Sequence, residues 1–144
     1  MKAKNFFSQE DQQRIVEAIK HAEKDSSGEV RVHIENRCKG EVLDRAATVF
    51  AKLKMHKTEL RNGVLFYLAL EHRKFAILGD AGINAKTGTH FWDAIKLEMA
   101  EAFKDGQLTE GLVGGILKAG EQLKVHFPYQ QDDVNELPDD ISFS

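Results

Sequence analysis

The chain has 144 residues, the length of a single domain, and a chain this long buries roughly two thirds of the surface its unfolded form exposes. A single cysteine, Cys38, excludes an internal disulfide framework and any cysteine-rich zinc module. A hydrophobic content of 42% with mean hydropathy −0.42 describes a globular chain, and no apolar run approaches the ~18 residues of a membrane span. Net charge is −3, with Asp132, Asp133, Glu136, Asp139 and Asp140 gathered in residues 128–144. The remainder is nearly neutral, and neither part suggests nucleic acid as the main partner, which usually needs a concentrated basic face. Lys2 and Lys4 precede no long apolar stretch, so the expected compartment is the cytoplasm.

Ser8 opens the first predicted helix, with Asp11 three residues on as a variant of the capping box. Ile15, Ile19 and Ala22 share one face, and Ser26-Ser27-Gly28 is expected to end it. Residues 29–35 alternate strictly between polar and apolar, which predicts a strand with one buried face and one wet or partly covered face. Residues 42–55 read as a second helix, with Ala46, Val49, Phe50 and Leu53 inward. Residues 64–70 are apolar without interruption, the pattern of a central strand covered on both faces. A short polar turn around His72 joins it to residues 74–79, which predicts an antiparallel hairpin.

Thr87-Gly88-Thr89 precedes a helix carrying Phe91, Ile95, Met99 and Phe103 at spacing four. Asp105-Gly106 stops it, and Thr109 is expected to cap a last helix with Leu112, Val113, Ile116, Leu117 and Leu123 inward. Gly114, Gly115 and Gly120 each cost roughly 1 kcal/mol of helix propensity against Ala, for which close helix approach is the expected compensation. Pro128 ends the packed region, leaving residues 1–127 as one domain and 128–144 as an acidic tail that Val134, Leu137 and Ile141 can pin. The fold class is α/β: a small mixed sheet of three to four strands sandwiched between helices, its first two strands parallel through a right-handed crossover.

Nucleophile elbow, phosphate loop, dinucleotide loop and zinc-helix motifs are all absent, and the histidines have no metal-ligand spacing. His33, on the polar face of the first strand, reads as a surface or packing residue. Cys38, between Arg37 and Lys39, has charges that favour a thiolate but no evident base. Residues 80–84, Asp-x-Gly-x-Asn, resemble the first half of a calcium loop, but Ala85 and Phe91 stand where an EF-hand needs Gly and Glu. Chain topology adds to this. A hairpin turning near residue 72 sets Asp80 beside Val64 and near Asn62, and a parallel first strand starts at that same end with Glu29. Glu29, Asn62 and Asp80 are therefore candidate ligands of a hard cation, Ca2+ or Mg2+, with Asp93 in reserve. Lys52, Lys54, His56, Lys57 and Arg61 form a basic stretch leading into that end.

Residues 27–32, residues 61–69 with Asn62-Gly63 before an apolar strand, and residues 73–83 with their glycine-rich exit together resemble the TPM domain. That module occurs in thylakoid-lumen photosystem repair proteins and many bacterial proteins. The resemblance covers residues 8–127. It implies a helix-covered four-stranded mixed sheet, so a short fourth strand is expected near residues 37–41 or in the tail. It also implies divalent cation binding, notably of calcium, at the sheet end, and in some members acid phosphatase activity. Arg61 stands where the family usually has an acid before Asn-Gly, and a positive charge there opposes a cation.

Three readings follow. The first is a TPM-domain protein, non-enzymatic or weakly enzymatic, that binds Ca2+ or Mg2+ through Glu29, Asn62, Asp80 and Asp93. The second is a metal-assisted phosphatase in which Lys57 or Arg61 neutralises phosphate charge. The third is a protein-interaction module whose acidic tail, residues 132–140, engages a basic partner or the chain's own residues 52–61.

Overall fold

A computed structural model describes residues 3–88, 90–129 and 137–144. The elements run α1 (Ala3–Phe6), α2 (Gln9–Glu23), β1 (Glu29–Glu35), α3 (Val42–Lys52), a 3-10 turn (Met55–Lys57), β2 (Gly63–Ala69), β3 (Lys74–Gly79), α4 (Ala81–Thr87), α5 (Asp93–Lys104), α6 (Leu108–His126) and β4 (Ile141–Phe143). Among the described residues the sheet has four strands in the order β3-β2-β1-β4. β1 pairs parallel with β2 and with β4, and β2 pairs antiparallel with β3. The fourth strand lies in the tail, the second of its two expected places.

Ser8 caps α2, its Oγ accepting from the Asp11 N–H at 3.0 Å, and Glu10 and Asp11 suit the positive helix start. Ile15, Ala18, Ile19 and Ala22 then fall on one buried face. The helix stops at Glu23, earlier than Ser26-Ser27-Gly28, because Lys24 is extended and Asp25 turns left-handed.

Alternation along the strands divides two cores. Val30, Val32 and Ile34 of β1, with Val64, Phe66, Leu68 and Ile77, pack under α2, α5 and α6. Leu65, Tyr67 and Ala76 face α3, the 3-10 turn and Leu137. Truncating a fully buried isoleucine such as Ile19 to Ala costs about 2–5 kcal/mol. Close approach does compensate two of these three helical glycines, Gly114, Gly115 and Gly120. A Cβ at Gly120 would stand 2.6 Å from the Ala22 Cα, and one at Gly115 would stand 2.5 Å from Met99 Sδ. Gly114 has no neighbour within 4 Å, so nothing offsets its cost.

Several local expectations are corrected. The second face of β1 is buried along its whole length rather than wet. Residues 81–87 are a helix rather than part of a loop, because Asp80 caps it by accepting the Ala81 N–H at 2.8 Å. Gln107 occupies the cap position of α6, and Thr109 lies within its first turn. Phe91 precedes α5, stacking edge-to-face on Trp92 at 4.5 Å. Thr89, Val134, Asp132, Asp133 and Glu136, which the sequence reading used, lie outside the described residues. Among the described residues no helix is long and apolar enough to cross a membrane.

Candidate functional site

The predicted convergence occurs at one end of the sheet. Glu29 is in register with Gly63, and Val64 with Gly79. The Glu29 N–H donates to the Asn62 carbonyl at 3.2 Å, and the Asp80 N–H donates to the Gly63 carbonyl at 3.0 Å. Glu29 and Asp80 thus share a border, two strand spacings or roughly 10 Å apart along the sheet.

Their side chains have different partners. Arg61 grips Asp80 through two hydrogen bonds, Nε to Oδ2 at 2.7 Å and Nη2 to Oδ1 at 2.8 Å. Asp80 Oδ1 also accepts the Ala81 N–H, so both carboxylate oxygens are engaged. The carboxylate in turn raises the Arg61 guanidinium above its ordinary value. Asn62 is buried, and its Nδ2 donates to the Ser27 carbonyl at 2.7 Å, tying the entry of β1 to that of β2. Asp93 is exposed and paired with His90 at 3.0 Å.

Glu29 points instead toward the C-terminal segment. Its Oε1 accepts the Leu137 N–H at 2.7 Å. Beside it, Glu23 ends α2 and Asp139 follows Pro138, and these two carboxyl groups hydrogen-bond each other. Glu23 Oε2 also accepts the Val30 N–H at 2.9 Å, on the β1 edge that β4 does not reach. Burial first, then the bond to Asp139 and the nearby Glu29 charge, push the Glu23 carboxyl up to about 9, while the Val30 bond opposes the shift. These acids line an open cleft of about 510 Å³ together with Asp25, Ser26, Ser27 and two lysines, Lys20 and Lys24. Among the described residues no three His, Cys, Asp or Glu side chains stand as a ready metal-ligating cluster.

The covered face of β1 carries a second set of polar groups. Arg45 donates twice to Glu35, at 2.8 and 2.7 Å, and Tyr67 donates to the same carboxylate. Burial raises the Glu35 carboxyl, but Arg45 and Tyr67 outweigh it and hold the group at about 2. His33 is bracketed by β4, with Nδ1 2.9 Å from Ser142 Oγ and Nε2 2.7 Å from Ser144 Oγ. Burial lowers its imidazole, partly countered by Glu35. Burial lowers the Arg31 guanidinium, and the charges of Asp140 and Asp139 partly counter this. Cys38 is buried in the α3 core, with its backbone bonded to His72.

Sequence reasoning placed Glu29 at this border but did not bring Glu23 and Asp139 to it. One signal for Glu23 was present. An acid in the last turn of a helix opposes the helix dipole and calls for a partner outside the helix. Asp139 had no such signal, because its position depends on how the tail returns.

The TPM domain family model matches residues 1–122. The NMR structure of BA42 protein from the psychrophilic bacterium Bizionia argentinensis is 47% identical, with TM-score 0.90 and 96% of each chain covered. The N-terminal domain of a protein from P. gingivalis superposes with TM-score 0.73 at 16% identity, covering 87% of this chain and 82% of that one. The N-terminal domain of the cg2496 protein from Corynebacterium glutamicum gives 0.66 at 16% identity, covering 83% and 75%. At 16% identity these two likenesses speak for the fold alone. No curated protein matches the chain.

Proposed function

The chain belongs to the TPM domain family, and from that premise we propose that it binds a divalent cation at the β1 end of the sheet, through Glu29 with Glu23 and Asp139. The observation that carries the reading is that Glu23, Glu29 and Asp139 line one cleft at the start of β1. Three acids from α2, β1 and the C-terminal segment line that cleft without forming a closed ligand set, and burial with the neighbouring carboxylates keeps a proton on Glu23 near neutral pH. A divalent cation that displaces this proton offsets two of the three negative charges then present.

Ca2+ is favoured over Mg2+, because ligands from three separate segments suit its larger, adaptable coordination better than a tight octahedron. Asn62 serves the site by fixing the entry of β1 rather than as a ligand. Asp80, held by Arg61 and the Ala81 N–H, takes no part. Leu137 and Asp139 both touch this cluster, so cation binding fastens the C-terminal segment onto β1.

Calorimetric titration of the full chain with Ca2+ and Mg2+, in two buffers of different ionisation enthalpy, tests the reading. The expected result is release of about one proton per ion at neutral pH, with affinity rising by up to about tenfold per pH unit below 9. Glu23→Gln abolishes proton release, and Glu29→Gln weakens binding at least about tenfold. Absence of binding, or binding that Asp80→Ala removes while Glu23→Gln leaves it intact, overturns the site.

A further inference from the structure

We infer that an apolar groove at the opposite end of the sheet binds a linear aliphatic anion, a medium-chain carboxylate whose tail lies between the β2–β3 hairpin and α5. The groove encloses about 620 Å³, within the range of roughly 300–1,000 Å³ typical of small-molecule sites. Phe6, Leu70, Phe75, Phe103 and Leu108 form its walls. Two of these, Phe75 and Phe103, meet edge-to-face at 5.0 Å. Phe6 stands 48% exposed at its side, a large apolar surface left in water.

Charge selects the occupant's head group. Arg73, Lys74 and Lys104 line the groove and no carboxylate does. Lys74 donates to the Gly40 carbonyl, whereas neither Arg73 nor Lys104 is held in an ion pair among the described residues. The C-terminus of α5 and the N-terminus of α6 meet at residues 105–107, so their end charges offset and the side-chain cations set the sign. An apolar trough whose lining carries cations and no carboxylate complements a molecule with an alkyl tail and one anionic head. A wholly apolar ligand would leave that charge unused, and a cationic one would be repelled. This site is independent of the carboxylates at the other end of the sheet.

The test is a titration of the full-length chain with decanoate, decanol and decyltrimethylammonium, each below its micellar concentration, followed by amide NMR shifts. Decanoate is expected to shift residues 68–75 and 100–108 saturably, with the cationic analogue at least about tenfold weaker. Arg73→Glu with Lys104→Glu should weaken decanoate about three- to tenfold and narrow the gap between anion and cation. Their exposed positions keep the spectrum dispersed, which separates lost binding from lost fold. Equal binding of all three amphiphiles, shifts elsewhere, or a groove that answers only to an acidic peptide overturns the inference.

Discussion

Arg61 closes a two-bond clamp on Asp80, and this pair decides what the β2–β3 border of the sheet does. Arg61 has left-handed backbone geometry at φ 51°, a conformation that Asp tolerates well. Arg61→Asp should therefore keep the turn, lower the melting temperature of the ion-free protein and leave two facing carboxylates where a charge pair stood. The expected gain is a second Ca2+ site. A calorimetric stoichiometry that does not rise above that of the unaltered chain counts against it.

Gly120 and Gly114 should respond in opposite directions to alanine. At Gly120 the new Cβ meets the Ala22 backbone at 2.6 Å, which forces α2 and α6 apart. The overpacking, about 1–3 kcal/mol, outweighs the propensity gained. At Gly114 no atom lies within 4 Å, so the same change should stabilise by about 0.5–1 kcal/mol. Urea unfolding of both variants measures the difference in sign.

Glu35 is the acid-side weak point. Its carboxyl is held at about 2, below its ordinary 4.5, so the stability it contributes is present above 4.5 and is lost as pH falls toward 2. Arg45→Met removes the cation from a buried carboxylate and should cost about 2–4 kcal/mol at neutral pH. Tyr67→Phe removes one donor and should cost about 1–2 kcal/mol. Chemical denaturation at pH 7 and pH 3 checks both, with smaller losses expected at pH 3.

Glu23 acts in the alkaline direction. The folded chain keeps its proton up to about 9, while the unfolded chain releases it near 4.5. The folded state thus binds more protons across that window, and this contribution is full below 4.5 and falls as pH rises to 9. One proton limits the slope to about 1.4 kcal/mol per pH unit. Glu23→Gln should flatten the decline seen in a thermal melt series from pH 5 to pH 9, and saturating Ca2+ should do the same to the unaltered protein.

Removing residues 128–144 strips Leu137, β4 and both serine contacts of His33 from the covered face of β1. Amide hydrogen exchange should then accelerate in residues 30–35 far more than in β3, which keeps its β2 partner. Equal protection of both strands would show that the segment contributes nothing to β1.

Helix α2, the strands β1 to β3 and the mixed sheet between helices were legible because each depends on local pattern. Serine capping, strict alternation and an uninterrupted apolar run are written within a few residues of one another. The shared border of Glu29, Asn62 and Asp80 was legible too, because hairpin length and strand direction fix register. Which carboxylates keep company there was not. Arg61 could be read as an obstacle to a cation, but its capture of Asp80 needed the two side chains placed in space. Glu23 and Asp139 are separated by more than a hundred residues, and only the return of β4 along β1 brings them together. Backbone periodicity determines elements one at a time, whereas burial, hydrogen bonding and proton sharing depend on distances between elements that the fold alone sets.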